Sequence, residues 1–215
     1  MKRLFASVIS CVLILSMICS GLTVFATTIT GAVDTDNFVR GVDVSTLDML
    51  EDLGARYYQN NVESDALTIL KNNGANYVRL KLWVDPYDEN GNPYGGGNND
   101  YATTLALARR AKNLGMGVLI DFHLSDFWTD PANQIKPKAW KDLSYSELKT
   151  TLYNYMKDTL NNFAAAGIVP EMVQVGNEIS TGILHDDGKV GNGNEDFSNL
   201  AGLLESAIAG VRASS

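Results

Sequence analysis

Four short apolar runs, each followed by a stretch with helical spacing, predict an α/β fold: a parallel sheet covered by helices. The strand-end positions Asp43, Trp83 and His123 recur every 40 residues, and Glu178 follows after a longer unit. Four units are half of an eight-unit ring, so the expected architecture is a (β/α)8 TIM barrel of which this chain supplies about the first four βα units.

The elements follow in order. Gly41 to Ser45 reads as the first strand and Ser64 to Asn73 as its helix. Tyr77 to Trp83 is followed by a helix over Tyr101 to Leu114, and Gly117 to His123 by one over Ser146 to Ala166. That third helix opens on a capping box, Ser144 with Glu147. Leu148, Leu152, Tyr155, Met156, Leu160 and Phe163 then recur at helical spacing until Gly167. Gly74 and Gly115 end the first two helices in the same way. Met172 to Glu178 is the fourth strand, and Asp196 to Val211 the fourth helix, with Leu200, Leu203, Leu204, Ala207, Ile208 and Val211 on its apolar face.

The start of the chain has a different composition. Lys2 and Arg3, an apolar stretch from Leu4 to Ile18 and the small-residue site Val24-Phe25-Ala26 mark residues 1–26 as a signal peptide. The mature protein is therefore expected to begin near Thr27 and to be secreted and extracellular. Residues 27–40 read as a linker and 41–215 as the N-terminal half of the barrel. Cys11 and Cys19 both fall in the targeting segment, so no disulfide or thiolate chemistry is expected afterwards. Losing Lys2 and Arg3 takes the formal charge from −8 to −10. That charge repels phosphate backbones and anionic membranes, which excludes nucleic acid and stable membrane association and favours a neutral partner such as a polysaccharide. No protein partner is implied. About 190 residues remain, fewer than the ~250 of a complete barrel, so the chain reads as a fragment.

Candidate chemistry concentrates at the carboxyl ends of the strands. Val173-Gln174-Val175-Gly176-Asn177-Glu178-Ile179 is a buried-strand pattern that ends abruptly in an Asn-Glu pair, making Glu178 the first candidate for a catalytic carboxylate. The alternative is a strand-end Glu that pairs with a neighbouring Arg. Alternation along the second strand turns Val78, Leu80 and Leu82 toward the helices and Tyr77, Arg79, Lys81 and Trp83 inward. The same phase sends Asp43, Ser45, Gln174 and Glu178 inward, joined by Asp121 and His123. Buried charge on this scale is costly unless it is paired and used.

The loops that follow are aromatic and acidic. Trp83 leads into Asp85-Pro86-Tyr87, and His123 into Ser125-Asp126-Phe127-Trp128, with Trp140 further on. Aromatic faces beside carboxylates suit sugar rings, which makes Trp83, Asp85, Asp126 and Trp128 candidates for sugar contact. Gly95-Gly96-Gly97 lacks the Lys-Ser/Thr of a phosphate-cradling loop. Asp88, Asn90 and Asn92 alternate as calcium ligands do, yet no glutamate stands at the twelfth position, so this reads as a turn. His123 and His185 are the only histidines, and no metal site is expected.

With these residues assembled, the chain resembles the arabinogalactan endo-β-1,4-galactanases of glycoside hydrolase family 53. The matching motifs are Gly41-Val42-Asp43-Val44-Ser45, Asn76 to Trp83, Asp85-Pro86-Tyr87, Tyr94 to Asp100, Asp121-Phe122-His123, Ser125-Asp126-Phe127-Trp128 with Asp130-Pro131, and Val173 to Glu178. The resemblance implies that Glu178 is the general acid/base and that Asn177 hydrogen-bonds the 2-hydroxyl of the sugar at the cleavage point. It implies that Arg79 supports the nucleophile, and that Asp43, His123 and Trp128 line the cleft. The implied reaction is endo-hydrolysis of β-1,4-galactosidic bonds in the (arabino)galactan side chains of pectin, with retention and without a cofactor. One departure is Leu124, where the family has Tyr. The resemblance also puts the nucleophilic Glu on a seventh strand and any structural calcium in the C-terminal half, so the 215-residue chain itself is expected to be inactive. Two alternatives remain open: another retaining endo-glycanase of the same clan (xylanase, mannanase or cellulase), and a non-catalytic carbohydrate-binding protein.

Overall fold

The computed structural model describes residues 38–191, 193 and 195–214. Residues 1–26, expected to be a signal peptide, and nearly all of the expected linker lie outside the described residues. Four parallel strands form the central sheet: β1 (Gly41–Asp43), β4 (Tyr77–Leu82), β5 (Gly117–Phe122) and β6 (Met172–Val175), in that spatial order. Successive units therefore lie side by side, as in a (β/α)8 barrel, and β1 and β6 are the outer strands. The register sets Asp43 beside Arg79, Lys81 beside Asp121 and Asp121 beside Gln174. Polar side chains thus stand in two adjacent rows, Asp43 with Arg79 and, two residues further on, Lys81 with Asp121 and Gln174.

The helices are α1 (Leu47–Asp52), α2 (Ala66–Asn72), α3 (Tyr101–Asn113), α4 (Tyr145–Ala165) and α5 (Ser198–Arg212). Side-chain capping starts three of them. Asp65 accepts from the Thr68 amide, Asp100 from the Thr103 amide, and Ser144 with Glu147 forms the reciprocal box expected from the sequence. Gly74, Gly115 and Gly167 take φ of 96°, 67° and 80°. The amides of the residues after them bond back to the carbonyls of Leu70, Ala111 and Phe163, which closes the helices as Schellman turns.

The core lies between sheet and helices. Val78, Leu80 and Leu82 of β4 and Val118, Ile120 and Phe122 of β5 are buried with Leu107, Ala108 and Ala111 of α3 and with Leu148, Leu152, Met156 and Phe163 of α4. Each large apolar side chain of this set contributes about 1.5–3 kcal/mol on transfer from water. α5 packs closely on α4 because Gly210 lies against the Tyr153 carbonyl, where a Cβ has no room.

Several elements depart from the sequence expectation. β1 ends at Asp43 rather than Ser45, although the Val44 amide still reaches the Arg79 carbonyl at 3.3 Å. Between β1 and α2 lie the unpredicted α1 and a hairpin of β2 (Tyr57–Gln59) with β3 (Val62–Ser64). Its two-residue turn, Asn60-Asn61, has φ of 52° and 63°, a pair of left-handed residues that asparagine tolerates. Ser64 belongs to that hairpin, so α2 starts at Ala66. β6 stops at Val175, so strand alternation does not set the direction of Glu178. Trp140 is not a cleft residue: it is buried, with its ring 5.3 Å from that of Tyr155.

Candidate active site

Arg79 is the hub at the carboxyl end of the sheet. One terminal nitrogen donates to Asp43 Oδ2 at 2.6 Å. The other donates to Asp121 Oδ2 at 2.6 Å and to Asn177 Oδ1 at 2.8 Å, and Nε reaches Gln174 Oε1 at 3.2 Å. Residues from all four strands thus converge on one planar guanidinium, the geometry for which arginine is suited and lysine is not. Asp121 is completely buried, and Arg79 is its cationic partner. Asp43 keeps a third of its side chain exposed and also accepts from the Ser45 amide at 3.0 Å and hydroxyl at 2.7 Å. Burial raises the Asp43 carboxyl, but the Ser45 donors, Lys81 and Arg79 outweigh it and hold the group below its usual range.

Asn177 is locked on both sides. Its Oδ1 faces Arg79, its Nδ2 donates to the Thr129 carbonyl at 2.7 Å, and its own carbonyl accepts from Gln134 Nε2 at 2.8 Å. The amide orientation is therefore set by its partners, because only an oxygen can face the guanidinium and only a nitrogen the carbonyl. Glu178 differs from its neighbours. It follows Gly176 (φ 81°) and adopts the left-handed conformation itself (φ 51°, ψ 49°), at the head of a 3-10 turn over Ile179–Thr181. For a residue with a Cβ this conformation costs about 1–2 kcal/mol. It leaves Glu178 exposed at the strand end, with no hydrogen bond or ion pair to its carboxylate among the described residues. Leu124, after β5, also has a left-handed backbone (φ 57°) and buries its side chain in the core.

An aromatic cluster flanks the polar centre. Trp128 and Phe127 are partly exposed, and both rest on Trp83, with ring centroids 6.0 and 5.0 Å away. Lys81 is buried and places its ammonium 3.7 Å from the Trp128 ring centroid and 3.8 Å from Asp43 Oδ1. Desolvation lowers the Lys81 pKa; Asp43 opposes this and Arg79 adds to it. Gly96 passes so close that a Cβ there would lie 2.9 Å from Trp128 Nε1. The Gly95-Gly96-Gly97 run, with φ between 66° and 108°, thus folds the loop onto the aromatic cluster. Tyr94, Phe127, Trp128 and Ile135 line a neighbouring cleft of about 770 Å³.

Four candidates take positions that strand alternation and composition did not foretell. Trp83 is 1% exposed, so it supports Trp128 rather than presenting a face. His123 is buried beside it: the Thr129 amide donates to Nδ1 at 3.1 Å, which places a ring proton on Nε2. That nitrogen lies 3.1 Å from Asp121 Oδ2 but out of line for a hydrogen bond. Asp85 and Asp126 are engaged in holding loops together. Lys138 Nζ lies 2.6 Å from Asp85 Oδ2 and 3.5 Å from Asp126 Oδ2, while Asp126 accepts from the amides of Asp85 and Lys138. Sequence reasoning missed Thr129 and Gln134, which carry no periodic or compositional signal. Asp88 accepts from the amides of Asn90 and Asn92 in a tight turn, and no group of three or more metal-ligating residues occurs among the described residues.

A sheet of four parallel βα units, with an exposed glutamate at its strand ends and two indoles packed edge to face beside it, defines the class, part of a (β/α)8 barrel. The chain belongs to glycosyl hydrolase family 53, whose sequence model matches residues 39–215. It is 43% identical over 177 residues to an endo-β-1,4-galactanase of Bacillus subtilis, covering 82% of this chain and 39% of that protein. It is 42% identical over 174 residues to arabinogalactan endo-β-1,4-galactanase A of Aspergillus niger, covering 80% and 46%. The solved family 53 catalytic domain of Ignisphaera aggregans superposes with a TM-score of 0.79 at 48% identity, over 85% of this chain and 49% of that one. The chain spans about half the length of the curated relatives it matches.

Proposed function

We propose that this chain supplies the acid/base half of a secreted, retaining endo-β-1,4-galactanase acting on the galactan side chains of pectin. The observation that carries the reading is the contrast at the end of β6. Asn177 is held by Arg79, Thr129 and Gln134, while the carboxylate next to it is exposed and has no partner among the described residues. A group that must exchange a proton with substrate needs that freedom, and the group that orients the sugar needs the opposite. The galactanase names of the relatives support the choice of sugar.

In this reading Glu178 protonates the glycosidic oxygen as a second carboxylate, about 5 Å away, attacks the anomeric carbon. The bond to the leaving sugar breaks and a covalent glycosyl-enzyme forms. Glu178 then takes a proton from water, whose oxygen displaces the enzyme carboxylate and restores the original configuration. The remaining Nδ2 proton of Asn177 is directed at the sugar 2-hydroxyl, and Trp128 offers an indole face to a ring. The second carboxylate comes from the part of the barrel that the relatives have beyond the span matched here.

Reducing-sugar release from unbranched β-1,4-galactan tests this. The gene product at its natural length should turn the polymer over, Glu178→Gln should lose at least about 100-fold in kcat, and the 215-residue chain should be silent. Full activity in Glu178→Gln would overturn the assignment. N-terminal sequencing of the secreted protein should begin at Thr27, and retention of residues 1–26 would overturn the targeting assignment.

A further inference from the structure

We infer that Gln134 is a positioning residue that holds the reactive carboxylate in its working conformation; the inference rests on the reading of Glu178 as the acid/base. Gln134 is 2% exposed and lies on the loop after β5, 43 residues from Asn177. Its single Nε2 donates to the carbonyls of Asn177 at 2.8 Å, Asp130 at 3.1 Å and Glu178 at 3.4 Å. Three carbonyl oxygens thus converge on one nitrogen, two of them from the residues that would hold the sugar and move the proton.

The loop that carries Gln134 is stiff. Asp130 Oδ1 accepts from the amides of Ala132 at 2.6 Å and Asn133 at 3.0 Å, and Asp130 Oδ2 accepts from Asn133 Nδ2 at 2.7 Å. The Gln134 carbonyl accepts from the His185 amide at 2.7 Å. The same loop grips the chain on either side of Glu178. Thr129 takes the Asn177 side chain, and the Thr181 hydroxyl donates to the Pro131 carbonyl at 2.6 Å. Between those points Glu178 sits at φ 51°, a conformation a glutamate does not prefer. The Gln134 amide is the donor that reaches the backbone of both members of the Asn-Glu pair. It therefore sets where the carboxylate points without touching the carboxylate. A carboxylate at position 134 would face the same carbonyls with no proton to offer. A thioether would leave the Asn177 carbonyl the Thr129 hydroxyl at 3.4 Å and the Asp130 carbonyl the Asn133 amide at 3.0 Å, but would take away the Gln134 donor that ties Asn177 and Glu178 together.

The test separates positioning of an acid from general damage. In the gene product at its natural length, Gln134→Met and Gln134→Glu are assayed on galactan, whose leaving group needs a proton, and on a dinitrophenyl β-galactobioside, whose leaving group does not. The value of kcat/KM reports bond cleavage in both cases. The expected result is a loss of about 10- to 100-fold on galactan, with the aryl substrate within about 3-fold of the parent. Equal loss on both substrates, or no loss on galactan, would overturn the inference. Glu178→Ala runs beside them: if it leaves galactan cleavage intact, the acid/base reading fails independently of Gln134. A thermal melt of each variant accompanies the kinetics. If Gln134→Met does not fold, Gln134→Glu, which keeps the shape of the side chain, decides by the same ratio.

Discussion

Replacing Arg79 by methionine removes four hydrogen bonds at once, but they do not weigh equally. Asp43 keeps the Ser45 amide and hydroxyl and is a third exposed, so water and those donors compensate it. Gln174 and Asn177 are neutral and retain other partners. Asp121 decides the outcome, because it is completely buried and would keep no hydrogen bond from a cation, only a misaligned imidazole at 3.1 Å and the longer-range attraction of Lys81. Stranding one member of a buried ion pair costs about 3–5 kcal/mol. Arg79 itself is 30% exposed, which admits some water and puts the expected cost near the lower end, about 3 kcal/mol. For a domain of this size that corresponds to a fall in Tm of about 6–12 °C. Circular dichroism melts of the parent, Arg79→Met, Asp121→Asn and the double variant measure it. The double variant should be more stable than the summed single losses predict, by about 1–3 kcal/mol, since a neutral amide no longer needs the cation. A Tm within 2 °C of the parent for Arg79→Met, or strict additivity, would refute the view that Asp121 depends on this arginine.

Three further outcomes follow. The Asp43 carboxyl is held below its unfolded value near 3.8, so its contribution to stability is complete above that pH and is lost as pH falls through the folded value; Asp43→Asn should flatten the acid limb of a stability–pH curve, and an unchanged limb would contradict the assignment. Gly96→Ala should weaken galactan binding, read by tryptophan fluorescence, because its Cβ meets Trp128 Nε1, whereas Gly95→Ala, with the same sign of φ and open space around it, should cost stability without displacing the indole. Ser144→Ala removes one side of the capping box on α4 and should lower stability by about 1 kcal/mol in urea unfolding, without altering galactan binding.

How much of this was legible in the chain differs from residue to residue. Burial periodicity gave away the strands: Val78, Leu80 and Leu82 alternate with Tyr77, Arg79 and Lys81 because a pleated strand has a period of two, and the structure places those two sets as that period requires. The caps at Ser144, Gly74, Gly115 and Gly167 were readable because each satisfies backbone groups within a few residues of itself. The hairpin at Tyr57–Ser64 was readable in principle from its Asn60-Asn61 turn and was missed. For Trp83, alternation gives a direction, not a depth; whether an inward indole is a platform or a support depends on whether Phe127 and Trp128, more than forty positions away, lie over it.

Sequence alone was enough for the α/β class, the order of the four units, their caps and the Asn177-Glu178 pair at a strand end. The elements and their caps are written in spacings shorter than a helix, and the order of the units in their recurrence along the chain. Tertiary structure decided that β6 stops at Val175, that Glu178 turns left-handed into solvent, and that Asp85 and Asp126 are taken up by Lys138. The reason is physical: those outcomes depend on donors such as Gln134 and Lys138, carried by loops without a periodic pattern, and their partners are chosen only when the chain closes on itself.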